Sequence, residues 1–192
     1  MQQNTTRNLV FGAMIAALYT ALCLALAPLS FGMVQVRAAE ALTLLPIFSP
    51  IGVWGVTLGC ALSNLVGFFT GANILGYMDI FFGTAATFVA ALLSRRLRNI
   101  RLLGVPVLSA LPPVLVNAVV IGAELAFVFA PAEQFARFFL INALYVGVGQ
   151  MISCFVLGLP LVCLLERTGA ARRCFGPDDG QAAAGKRAFG DF

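Results

Sequence analysis

The chain has 192 residues, of which 60% are hydrophobic and only 10% are charged, with a net charge of +4. A soluble domain is nearer half apolar and a quarter charged, so this composition calls for a bilayer rather than a small water-facing core. With no histidine there is no imidazole base, imidazole metal ligand or Ser-His-Asp triad, and the one lysine, Lys186, lacks the hydroxyl and the following helix of a P-loop, which excludes ATP hydrolysis by this chain.

A helix needs about 20 apolar residues to cross a bilayer. Such runs lie at 9–29, 51–69, 76–94, 105–130 and 138–165. The first carries Ala25-Leu26-Ala27, which resembles a signal cleavage site, but it exceeds a signal core of roughly 7–15 residues and is read as a retained helix. A shorter apolar piece, 34–48, lies between Gly32 and the prolines Pro46 and Pro50. As an α-helix it reaches about 22 Å. It is expected to be short, tilted or partly inserted, with its backbone covered by protein. Four of the five cysteines (Cys23, Cys60, Cys154, Cys163, Cys174) lie in apolar runs and none forms a CxxC pair; they read as small packing residues, not a disulfide or metal site.

Arginines set the orientation. Arg95, Arg96, Arg98 and Arg101 fall in one connection, and Arg167, Arg172 and Arg173 follow the last run. Both groups belong on the cytoplasmic side. Counting the short piece as a crossing puts Arg7 there too. The expectation is an all-α, multi-pass six-helix bundle of bacterial plasma-membrane type, with a short second helix and both termini cytoplasmic. Residues 1–167 form one membrane domain. Residues 168–192, rich in Gly and Ala, read as a flexible tail.

In this map nearly every polar side chain within the spans falls in the outer half: Arg37, Glu40, Asn64, Asp79, Glu124, Asn142 and Tyr145, with Gln150 near the middle. Carboxyl groups in a bilayer cost several kcal/mol and usually face protein or a water-filled cavity, so three at one depth suggest a polar pocket for a cationic or N–H-rich ligand. Trp54, Phe68, Phe69, Tyr77 and Phe81 are candidates to present aromatic surface to a flat ring. Plainer roles stand beside these. Arg37 and Glu40, three apart, can pair along one helix; Asp79 can complement a helix dipole; Asn64, Asn117, Asn142 and Gln150 can serve as interhelical hydrogen-bond glue. In the first helix Ala13, Ala17, Ala21 and Ala25 recur every four residues, a stripe that lets another helix of this chain or of a second subunit approach closely.

Two blocks carry a resemblance. Val34-Gln35-Val36-Arg37-Ala38-Ala39-Glu40-Ala41-Leu42-Thr43-Leu44-Leu45-Pro46, and Gly76-Tyr77-Met78-Asp79-Ile80-Phe81-Phe82-Gly83-Thr84 followed by an alanine-rich run into arginines, resemble the QueT family. The likeness extends over about residues 7–167. It implies a substrate-binding S component of an energy-coupling-factor (ECF) transporter: a six-helix bundle that captures a queuosine precursor, a 7-deazaguanine base, near its external face. It implies a membrane-embedded partner subunit docked on the alanine face of the first helix, and two ATPase subunits. It places Arg37, Glu40 and Asp79 in the matching blocks, whereas Glu124 rests on its depth alone. No cofactor and no nucleic-acid partner are implied. Other readings are an S component for a flavin, thiamine or a pterin, a membrane enzyme using the buried acids, and an assembly subunit. The absent histidine and the lack of a nucleophile–base pair at helical spacing speak against the enzyme.

Overall fold

A computed structural model describes residues 2–31 and 36–176. Among these residues all regular structure is helical, apart from a single β-type bridge between Leu102 and Val105. Helix α1 (Gln2–Ala25) is followed by a single turn, α2 (Ala27–Ser30), and by a 3-10 helix (Ala38–Ile47). Helices α3 (Pro50–Phe69) and α4 (Met78–Arg96) form an antiparallel pair, then a 3-10 turn (Val107–Ala110) leads into α5 (Leu111–Phe129). The last crossing runs through α6 (Phe135–Met151), a π-helical stretch (Ile152–Gly158) and α7 (Leu159–Arg167), and α8 (Ala170–Phe175) follows it. Five helical stretches are long and apolar enough to cross a membrane: Thr6–Ala25, Pro50–Phe69, Met78–Arg96, Val107–Phe129 and Phe135–Arg167. They coincide with the five long runs of the sequence.

The sixth element departs from expectation in an instructive way. Residues 38–47 form a 3-10 helix, which rises about 2.0 Å per residue against 1.5 Å for an α-helix. Ten residues therefore reach about 20 Å rather than 15 Å. The two ends of this thin rod are tied to the two ends of α4: Arg37, just before it, pairs with Asp79, and the carbonyl of Pro46 accepts a hydrogen bond from Arg95 Nη1 at 2.8 Å. The rod is buried from Ala39 to Ile47, as its backbone requires at membrane depth. Val34 and Gln35, the start of the expected short helix, lie outside the described residues.

Room for the rod comes from glycines and from the widened π turn. A Cβ on Gly158 would meet Leu44 Cδ1 at 2.9 Å, and a Cβ on Gly52 would meet the backbone nitrogen of Pro46 at 2.7 Å. The π turn precedes Pro160, whose missing N–H and bulky ring disfavour a regular α-helical path. Glycines also draw α1 onto α3, since a Cβ on Gly55 would sit 2.8 Å from Ile15 Cβ and one on Gly59 would sit 2.6 Å from Tyr19 Cβ. In a bilayer, where lipid is as apolar as leucine, such close backbone approach is what holds helices together. Ser49 caps α3 through its hydroxyl, with Pro50 at the first helical position. Arg95 and Arg96 close α4, complementing its dipole.

One face of the bundle brings α8 against α1 and the end of the 3-10 helix. Arg7 donates to the carbonyl of Gly176, Arg101 pairs with Glu166, and Phe175 stacks on Phe48 at 5.8 Å and lies 5.9 Å from Phe11. The start of the expected tail is thus a short helix, because Ala171 and Phe175 find apolar partners. Residues 177–192, the rest of that expected tail, lie outside the described residues.

Candidate functional site: a buried acid and amide cluster

The opposite end of the bundle holds most of the polar residues that the sequence placed there. Arg37 is only 2% exposed. Its guanidinium donates from Nε to the carbonyl of Ser30 at 3.0 Å and from Nη2 to Asp79 Oδ2 at 2.6 Å, and it lies over the ring of Phe31, 5.2 Å from the centroid. The partner within reach along its own segment, Glu40, is not the one it takes. Asp79 in the first turn of α4 takes that place, because the 3-10 helix packs against α4 and brings Arg37 to its start.

Glu40 instead accepts a hydrogen bond at Oε1 from the Tyr19 hydroxyl of α1, at 2.7 Å. Asp79 Oδ2 also accepts from Asn73 Nδ2 at 2.9 Å, and the Asp79 carbonyl accepts from Asn64 Nδ2 at 2.7 Å. Asn73 is itself held by an Asx turn, with Oδ1 accepting from the Leu75 amide. Cys60 of α3 sits at the centre and takes hydrogen bonds from Thr87 and Asn64. Gly83 is bare because a side chain there would run into the Asp79 carboxylate and Asn64.

Glu124 of α5 is 5% exposed, and neither of its oxygens has a hydrogen-bond partner. It interacts electrostatically with Asp79 and Arg37, and it lines a cleft of about 510 Å³ with Met78, Phe82 and Phe127. Three carboxyl groups therefore face one guanidinium. Asn117 lies beside Glu40, and Asn142 is buried on α6. Tyr145 is 47% exposed and is not brought into the cluster. Trp54, Phe68, Phe69, Tyr77 and Phe81 also point outward, so the aromatic faces at the cluster are those of Tyr19 and Phe31.

Tyr19 and Asn73 were not singled out from the sequence. A signal existed for Tyr19: a phenol in mid-span needs a partner for its hydroxyl. It lies on the buried face Gly12, Ile15, Ala16, Tyr19 and Cys23, opposite the alanines. Ala13, Ala17, Ala21 and Ala25 are all exposed, so that stripe faces away from the rest of the chain.

Long apolar crossings wrapped around a buried cluster of charged and amide groups define a multi-pass membrane protein with an internal polar site. A family described as QueT transporter matches residues 9–167, and the chain belongs to the QueT transporter family. It is 31% identical over 91 residues to the queuosine precursor transporter QueT of Lactococcus lactis subsp. cremoris (strain MG1363). That alignment covers 46% of this chain and 50% of the relative, so the chain spans about half the length of the relative it matches. No solved structure matches.

Proposed function

We propose that this chain is the substrate-binding subunit of an ATP-driven ECF transporter and captures a queuosine precursor, a 7-deazaguanine base, at the outer face of the plasma membrane. The observation that carries the reading is a set of five buried acceptor oxygens without donors: Glu40 Oε2, Asn64 Oδ1, Asp79 Oδ1 and both oxygens of Glu124. Leaving a buried polar group unsatisfied costs about 1–3 kcal/mol, so the cluster favours a ligand rich in N–H groups. The edge of a guanine-like base offers neighbouring N–H donors that a carboxylate accepts as a pair. An amine on the ligand would answer the surplus of carboxyl groups over the single guanidinium.

Orientation follows from the arginine-rich face, which belongs in the cytoplasm, leaving the acid cluster toward the outside. The outward stripe of Ala13, Ala17, Ala21 and Ala25 suits close approach by a membrane-embedded partner subunit. Energy comes from two ATPase subunits, since this chain has no P-loop. After capture, the loaded bundle docks and reorients as a rigid body, a form of alternating access.

Isothermal titration of the detergent-solubilised chain with 7-deazaguanine bases, with and without an aminomethyl group, tests the reading. We expect saturable one-site binding, weakened roughly 10- to 100-fold by Glu124→Gln, the range for hydrogen bonds to a charged group. A flavin, thiamine and a pterin serve as competitors. The assignment fails if neither deazaguanine binds saturably or if one of the competitors binds in its place.

A further inference from the structure

The acid cluster leaves a strongly basic surface at the other end of the described bundle unused. The connection from α4 to α5 carries Arg95, Arg96, Arg98 and Arg101. Two of them are engaged: Arg95 donates to the Pro46 carbonyl, and Arg101 makes a paired contact with Glu166. The guanidinium groups of Arg96 and Arg98 have no hydrogen-bond or ion-pair partner among the described residues. The like charges of Arg95 and Arg98 are close enough to oppose each other. Two clefts of about 470 and 370 Å³ adjoin here and share Arg95, Arg98 and Asn99. One reaches the end of the 3-10 helix at Phe48; the other opens beside Leu92 on the exposed side of α4. Guanidinium groups gathered with no protein carboxylate among the described residues facing Arg96 or Arg98 suit an anionic partner.

The turn that follows says which anion. Leu102 and Val105 close a tight loop through reciprocal backbone hydrogen bonds of 2.9 Å. At its tip Leu103 adopts a left-handed backbone, φ 51°, and is 100% exposed. Ile100 and Leu102 are exposed beside it. A turn meant for water would place glycine or asparagine at such a position. This connection joins two membrane crossings and so lies at the depth of the lipid headgroups. Cationic side chains at that depth, with leucines alongside, reproduce the pattern of an interfacial anchor. A freely soluble anion would need the arginines and would have no use for the leucines.

We propose that the 95–101 connection binds the headgroup of an anionic phospholipid, its phosphate held by Arg96, Arg98 and Asn99, with Leu102 and Leu103 entering the acyl region. The proposal does not depend on the ligand of the acid cluster or on which leaflet this face meets.

Native mass spectrometry of the full chain, released from micelles containing equal phosphatidylglycerol and phosphatidylcholine of one acyl composition, tests it. We expect retained phosphatidylglycerol in excess of phosphatidylcholine. A surface cation contributes about fivefold to anionic-lipid binding, so R96Q/R98Q should lower retention about 30-fold. L102S/L103S should lower it as well, and R172Q/R173Q on α8 should leave it unchanged. Because the side chains of Arg96 and Arg98 make no hydrogen bond or ion pair among the described residues, and the dipole contribution of Arg96 is at most about 1 kcal/mol, their variant should melt within about 4 °C of wild type. Equal retention of the two lipids, an equal loss in the α8 variant, or displacement of the lipid by millimolar inorganic phosphate would each overturn the proposal.

Discussion

Replacing Asp79 with asparagine preserves the side chain's shape and removes its charge. In the native chain Arg37 is 2% exposed, with its Nη2 at 2.6 Å from Asp79 Oδ2. Removing one partner of a buried ion pair costs about 3–5 kcal/mol, because the remaining charge stays desolvated. Arg37 retains its hydrogen bond to the Ser30 carbonyl and its contact with the Phe31 ring, so the lower end of the range applies, about 3 kcal/mol. For a chain of this size that lowers the melting temperature by roughly 6–12 °C. Thermal unfolding followed by circular dichroism in a mild detergent reads the shift. A second variant isolates the cause. Arg37→Met with Asp79→Asn removes both charges and still leaves asparagine to accept from Asn73. It should be less destabilised than the sum of the two single variants by about 2 kcal/mol. If Asp79→Asn melts within about 2 °C of wild type, or if the double variant is additive, Arg37 is reaching water and the buried pair is not what orders this end of the bundle.

Tyr19→Phe removes the hydroxyl that donates to Glu40 Oε1, and a melting experiment should show a loss of about 1.5–3 kcal/mol. Gly59→Val forces a side chain onto Tyr19 and Ala16, which lie within 3.0 Å of a Cβ there; we expect at least about 1–3 kcal/mol of destabilisation and weaker ligand binding, because Tyr19 is pushed from Glu40. Ala17→Phe changes an outward-facing position, so the isolated chain should melt normally while co-purification with a partner subunit falls; unchanged co-purification would remove the alanine face from the docking surface.

Much of this protein can be read from its sequence, for identifiable reasons. Each long crossing is specified locally, since a bilayer admits only segments that are apolar over a full helix length and satisfy their own backbone. Intramembrane acids are costly, so Glu40, Asp79 and Glu124 declared themselves by being there at all. The outward turn of Ala13, Ala17, Ala21 and Ala25 likewise fits their four-residue spacing. Spacing failed where the partner lies on another helix. Along one helix it pairs residues three or four apart, which pointed from Arg37 to Glu40. The packed bundle sends Arg37 to Asp79 and gives Glu40 to Tyr19.

The shape of the second element was also beyond local reading. Its apolar composition suits an α-helix as well as a 3-10 helix. The narrower form is held by Gly52, Gly158 and the π turn beside Pro160, all distant in sequence. Sequence by itself determined which segments enter the membrane and which groups are too expensive to be there without purpose. Only the tertiary structure decided which of those groups meet, because the rotation and depth of each helix are set by side chains on its neighbours.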